Sequence, residues 1–160
     1  MIRKAIISDL PGISALLEQV LMVHYNIRPD LFIPNTKKYS DAQFAELLSD
    51  PDTPVFVFTD DEGNVLGHAF CALKDYTGLS NMIPHKTLYI DDICVDENHR
   101  GEKIATKLLE YVKSYAKELG CYNITLNVWE GNELARSFYE HMGMGVQRTT
   151  MELILDGKDD

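Results

Sequence analysis

The chain has 160 residues, 45% of them hydrophobic and 25% charged, and a formal net charge of −10 at neutral pH. That length suits one domain with one substantial core, so residues 1–160 are expected to form a single domain. No stretch approaches the roughly eighteen consecutive apolar residues of a membrane span, and the acidic balance argues against a broad nucleic-acid surface. It fits a cationic or neutral small molecule better.

The opening MIRKAIISDLPGI has an early positive charge but neither a long apolar core nor a small-residue cleavage site, so no leader is expected and the cytoplasm is the expected compartment. IRKAII alternates as a strand does. Ser8, Asp9 and Pro11 are helix-start signals ahead of the amphipathic run GISALLEQVLMVHY. From Asn26 to Lys38 the chain carries Pro29 and Pro34 with little periodicity and reads as a loop. SDAQFAELLSD follows as a short helix that Ser40 or Asp41 would cap. VFVFTDDEGNVLGHAFCAL reads as a hairpin around Asp-Asp-Glu-Gly-Asn, and LYIDDICV as another strand.

A helix is predicted from about Lys103 to Leu119, with Ile104, Leu108, Val112, Tyr115 or Ala116, and Leu119 on one stripe and Gly120 as its stop. YNITLNV is the next strand, NELARSFYEHM a helix closed by Gly143, and VQRTTMELIL one or two further strands before the polar tail DGKDD. The order of elements predicts an α+β fold, in which LYIDDICV, the long helix and YNITLNV make one parallel βαβ unit. Cys71, Cys94 and Cys121 are odd in number and have no metal-ligand spacing, so reduced thiols are expected.

The stretch ENHRGEKIATKLLEYV, Glu97 to Val112, concentrates basic residues where the long helix begins. A helix N-terminus has unpaired N–H groups and a partial positive charge, and so attracts phosphate. Gly101 allows close backbone approach, while Arg100, Lys103 and Lys107 add positive charge. An ordinary solvated turn would carry the same residues, so the stretch alone leaves both readings open.

With IDDICVDENHRGEKIATKLL and GNELARSFYEHMGM together, the chain resembles the GNAT superfamily of acetyl-CoA-dependent N-acetyltransferases over nearly its whole length. The family's pyrophosphate loop reads Arg or Gln, two residues, Gly, one residue, Gly or Ala. Here Arg100 and Ala105 match, and Lys103 replaces the first glycine. The second motif matches Asn-x-x-Ala-x-x-Phe-Tyr-x-x-x-Gly at Asn132, Ala135, Phe138, Tyr139 and Gly143.

The resemblance implies a mixed, mostly antiparallel twisted sheet with flanking helices, and acetyl-CoA as cosubstrate. It implies that the backbone of Ile93, Cys94 and Val95 holds the pantetheine arm. The N–H groups of Gly101, Glu102, Lys103, Ile104, Ala105 and Thr106, with Arg100, would hold the pyrophosphate, and Asn132 would contact the cofactor. Tyr139 would protonate the leaving thiolate. Helical geometry independently places Asn132, Ala135 and Tyr139 on one side, at the edge of the core; a core tyrosine and a helix cap are the plainer readings of Tyr139 and Asn132.

Two aspartates interrupt the apolar strand LYIDDICV. Since side chains alternate between faces, one of them is expected to point inwards, where a carboxylate needs a partner or a purpose. GNAT enzymes place acceptor-binding or base groups on this strand, so Asp92 is the first candidate base and Asp91 the second choice, as an acceptor contact; a strand edge or a lysine partner would explain the pair structurally. Cys94 as covalent nucleophile is set aside because no histidine can be placed beside it.

The resemblance places the acceptor side in HYNIRPDLFIPNTKKY, which is similar to a His-x-x-x-Arg-Pro-Asp-x-Phe pattern of some GNAT members; there Tyr25, Asp30 and Phe32 could receive an amine or simply pack a loop, and His24 is the histidine to test. The five histidines lack metal-ligand spacing, so no metal is expected. The partner is then a primary amine on a small molecule or peptide, with no nucleic acid and no membrane; dimerisation and the acceptor's identity stay open. A catalytically silent acyl-CoA-binding sensor or interaction module would carry the same loop. A nucleotide-binding domain fits less well, because GEKIAT lacks the glycine pair and Gly-Lys-Ser/Thr ending of a P-loop.

Overall fold

The computed structural model describes residues 1–155. Five strands, β1 (Ile2–Lys4), β2 (Val55–Thr59), β3 (Val65–Asp75), β4 (Lys86–Val95) and β5 (Asn123–Leu126), form one sheet in chain order. Neighbours are antiparallel except β4 and β5, which are parallel as the βαβ unit requires. The helices are α1 (Leu10–Ile27), α2 (Asp41–Ser49), α3 (Ile104–Glu118) and α4 (Glu133–His141). None of the described helices is long and apolar enough to cross a membrane.

Alternation on the strands divides the core between the two faces of the sheet. On β2, Phe56 packs with Leu88, Ile90, Leu108 and Val112 beneath α3, whereas its neighbours Val55 and Val57 pack with Ile13, Leu17 and Phe44 beneath α1 and α2. The stripe predicted for α3 is the buried one at Ile104, Leu108, Val112 and Ala116. Ser40 caps α2 through a reciprocal pair: its Oγ accepts from the Gln43 N–H at 3.2 Å and its own N–H donates to Gln43 Oε1 at 2.9 Å. Asp9, read as a helix-start residue, makes no side-chain cap to α1. Its buried carboxylate instead accepts both Arg3 Nη atoms, at 2.8 and 3.0 Å, and the Ile6 N–H.

Two features place the site. The β3–β4 register runs Cys71↔Ile90 and then Phe70↔Asp92, so Asp91 is an extra residue, a bulge in β4. The β4–β5 ladder ends at Ile90↔Leu126, which leaves the next stretch of β4 with β3 as its only strand neighbour.

The strand expected in VQRTTMELIL does not form: residues 146–155 join no ladder, and Met151, Leu153 and Leu155 are exposed. β propensity reports how well side chains fit a pleated, half-buried surface; a strand also needs a neighbour to take its backbone hydrogen bonds, and β5, four residues long, has no ladder on its outer edge. An ion pair from Arg28 to Glu152 ties this segment to the loop after α1. The DGKDD tail lies outside the described residues.

Candidate active site

The bulge changes what the two aspartates do. Simple alternation would send them to opposite faces, but the extra residue keeps both on one side, and Lys38 bridges them. Its Nζ lies 2.7 Å from Asp92 Oδ2 and 3.0 Å from Asp91 Oδ2. The Asp92 side chain is 11% exposed and that of Lys38 43%, so desolvation falls mainly on the carboxylate. Burial accordingly raises the Asp92 carboxyl above its ordinary range, with Asp91 adding to the effect and Lys38 opposing it. On Lys38 burial works against the charge, and the two carboxylates outweigh it, holding the ammonium above the usual lysine value.

Asp91, Asp92 and Lys38 line a cleft of about 610 Å³ between α1, the loop after it, β4 and α4. From α4 the cleft receives Asn132, Ala135 and Tyr139, the three residues that helical spacing puts on one side. Phe138 and Met142 beside them pack against the core under α3. Asn132 also caps α4, its Oδ1 accepting from the Ala135 N–H at 3.3 Å. Tyr139 is half-buried, and its hydroxyl has no hydrogen-bond partner among the described residues. Burial, then the neighbouring Cys94 and Asp92, raise the phenol well above its usual value, so it stays protonated.

The opposite wall is aromatic. Phe32 lies 5.2 Å from the His24 ring and 5.7 Å, edge-on, from Trp129, over which Arg28 is placed. Burial, then Lys38, lowers His24. Tyr89 completes the floor and accepts a hydrogen bond from Asn127 Nδ2 at 3.2 Å.

The chain leaves β4 through a short turn at Glu97–His99 that α1 braces: Gln19 accepts from the Glu97 N–H at 3.0 Å and donates to Asp96 at 3.4 Å. Arg100 to Lys103 then form an exposed loop into α3. Lys103 begins the helix with φ +61° and no side-chain cap. That left-handed conformation is the one glycine adopts most readily. It follows that the N–H groups of Ile104, Ala105 and Thr106 have no helical acceptor and remain available to an anion. Glu102 is engaged locally by His99, 2.9 Å away, and Lys107 is turned back over the Phe58 ring.

A model of the Acetyltransferase (GNAT) family matches residues 21–144. The chain belongs to the GNAT acetyltransferase family. It is similar to the glucosamine 6-phosphate N-acetyltransferase of Arabidopsis thaliana, 28% identical over 102 residues; the match takes in 56% of this chain and 66% of that enzyme, just under two thirds of its length. The thialysine N-epsilon-acetyltransferase of Sus scrofa is 26% identical over 140 residues, with 86% of this chain and 73% of that enzyme covered. Among solved structures, a tetramutant of a Bacillus halodurans protein superposes with a TM-score of 0.92 at 34% identity, covering 97% of this chain and 99% of the other.

Within this GNAT fold the sequence-derived candidates divide. Asp91, Asp92, Ile93, Asn132, Tyr139 and Phe32 line the one cleft. Tyr25 does not: α1 presents Ser14, Leu17, Leu21 and His24 to it, and the next residue is rotated away. Asp30 is held in a bidentate pair with Arg28, at 2.9 and 2.8 Å, outside the cleft. The Ile104 side chain belongs to the core, so only its backbone is free for a ligand.

Sequence reasoning missed Lys38 and Trp129, although the only tryptophan, two residues before Gly131, was a usable signal. It also missed that β3 sets His68 directly opposite Cys94. The pair is not an activated nucleophile. His68 is fully buried with neither ring nitrogen hydrogen-bonded, and burial pushes it down to about 3; burial also holds the Cys94 thiol far above its ordinary range.

Proposed function

We propose that this chain transfers the acetyl group of acetyl-CoA to a primary amine of a small molecule or peptide, by direct attack in a complex holding both substrates. The observation that carries the proposal is that Asp92 and Tyr139 line one cleft where β4 parts from β5. A raised carboxyl and a protonated phenol, from different elements, face the same space.

In this reading the thioester arm lies along the open edge of β4 at Ile93 to Val95, in strand-like hydrogen bonds, with its diphosphate on the N–H groups that open α3. The incoming ammonium gives a proton to Asp92, directly or through water, and its nitrogen attacks the carbonyl carbon. A backbone N–H near Cys94 or Val95 stabilises the oxyanion. The C–S bond breaks, and Tyr139 protonates the sulfur. Holding both reactants in one geometry supplies most of the rate. The names of the Arabidopsis and pig relatives each denote transfer to an amino group, which supports an amine as acceptor.

Thiol release from acetyl-CoA across a panel of amines tests this. Tyr139→Phe should lower turnover roughly 100-fold or more, the range of a lost general acid, with CoA affinity nearly unchanged. Equal turnover would remove Tyr139 from the role. CoA binding with no thiol release on any amine would favour the silent acyl-CoA-binding module.

A further inference from the structure

Two lysines, Lys37 and Lys38, line the cleft, and among the described residues Lys38 is the one whose amine lies beside the candidate base. We propose that Lys38 is an acetyl acceptor, and that the protein modifies its own Nζ from acetyl-CoA. The inference rests on the transferase reading above and names a modification site within it.

Three observations carry it. The Nζ is within hydrogen-bond distance of both Asp92 and Asp91, the contact an acceptor ammonium would need in order to hand over its proton. The residue lines the cleft with Tyr139. It also lies in a segment, residues 28–40, with no helix or strand, on a four-carbon stem, so the amine can shift toward a thioester without breaking a backbone ladder. Lys37, its neighbour, is more exposed, and its Nζ faces Asp41 at 3.9 Å.

The step balances without a co-reactant. The Lys38 ammonium passes one proton to Asp92, which releases it to solvent; the freed nitrogen attacks the thioester carbonyl carbon, an N–C bond forms, the nitrogen gives up its second proton to solvent and the C–S bond breaks; Tyr139 protonates the sulfur and is reprotonated from solvent. The products are Nε-acetyl-lysine, the CoA thiol and one proton. The acetamide is uncharged, so Asp91 and Asp92 lose the cation that bridges them and the place it held becomes open to a cationic acceptor.

The test is to incubate the full chain with acetyl-CoA and no amine, then follow intact mass and map the modified peptides over time. The expected result is one acetyl group on Lys38, gained at least about tenfold faster than on Lys37, as positioning beside a base predicts. The rate per molecule should not depend on protein concentration, and Tyr139→Phe should slow it. Lys38→Arg keeps the cation and should lose the amine-independent thiol release. Labelling of Lys38 no faster than Lys37, or untouched by Tyr139→Phe, overturns the proposal. If the same sample releases thiol on added amines while Lys38 stays unmodified, self-acetylation is wrong and the transferase reading stands; if it does neither, both are wrong.

Discussion

From Thr87 to Ile90, β4 has a strand on either side, β3 and β5; from Asp92 to Val95 it has β3 alone. The first half buries Leu88 and Ile90 in the core under α3 and joins Thr87 to Asn123 by a side-chain hydrogen bond of 2.6 Å. The second half turns Asp92 into the cleft and offers a bare backbone edge. One extra residue, Asp91, separates the two. A strand held on both sides has no backbone group left for a ligand, whereas one released on a single side keeps its position through the remaining ladder and gains free donors and acceptors. On this reading, stability resides in the first half of β4 and chemistry in the second.

Leu88→Ala should show the largest effect on stability. Leu88 is fully buried between two ladders, and such truncations cost about 2–5 kcal/mol. Chemical denaturation should register that loss, while CoA affinity per folded molecule stays near wild type. A lost affinity without a stability change would break the division between the halves.

Asp92→Asn should do the reverse. Removing a general base lowers kcat/KM roughly 100-fold or more, and the same substitution should raise the melting temperature at neutral pH. The sign follows from the carboxyl, whose folded value lies above its unfolded one, chiefly through burial. Its ionised form therefore favours the unfolded chain, a penalty fully present above both values and absent below them. Melting curves of the two proteins should converge as the pH falls through the ordinary carboxylate range. A lower melting temperature for the amide at neutral pH would mean that the Lys38 bridge outweighs burial.

Gly67→Ala probes how the freed half is braced. A Cβ there would meet Ile104 Cγ2 at 2.9 Å and the Cys94 carbonyl at 3.1 Å, so β3, β4 and the first residue of α3 meet at this glycine. Overpacking of this kind costs about 1–3 kcal/mol. Because Ile104 opens α3, calorimetry should also show weaker CoA binding. Unchanged affinity would mean that the loop before α3 tolerates movement of its anchor.

Most of the framework was legible because its signals are local. The α3 stripe, the Ser40 cap, the Asp60–Asn64 turn and the face of α4 each follow from spacing within a few residues. What escaped depends on pairing between distant residues. The bulge at Asp91 is a property of register against β3, invisible to a period of two, and it is what lets one lysine reach both carboxylates, Asp92 the more buried of them. Lys38 meets Asp91 and Asp92 across more than fifty residues of chain, and nothing in TKKY marks which lysine turns inward. Tyr25 and Asp30 carried suitable chemistry, but composition gives no direction: Arg28 holds one and helix rotation removes the other. The last expected strand failed for the same reason, since its side chains have strand character but its backbone has no neighbour. Lys103 is a mixed case, where a departure from the glycine pattern was visible and only φ showed that lysine adopts glycine's conformation.

The smallest effect is expected at the bulge itself. Asp91→Asn retains the extra residue, and therefore the release of β4 from alternation, while removing a charge whose side chain is 43% exposed. Lys38 keeps its shorter bond, to Asp92, and an exposed ion pair contributes only about 0.2–1 kcal/mol. The expected result is a shift of a few-fold in the KM for the amine with kcat nearly unchanged, since proton transfer is assigned to the more buried carboxylate. Steady-state kinetics on the best amine of the panel, run beside Asp92→Asn, decides it. If kcat falls equally in the two variants, the aspartates share one proton and act as a coupled pair, and the line between holding and reacting must be drawn before Asp91 rather than after it.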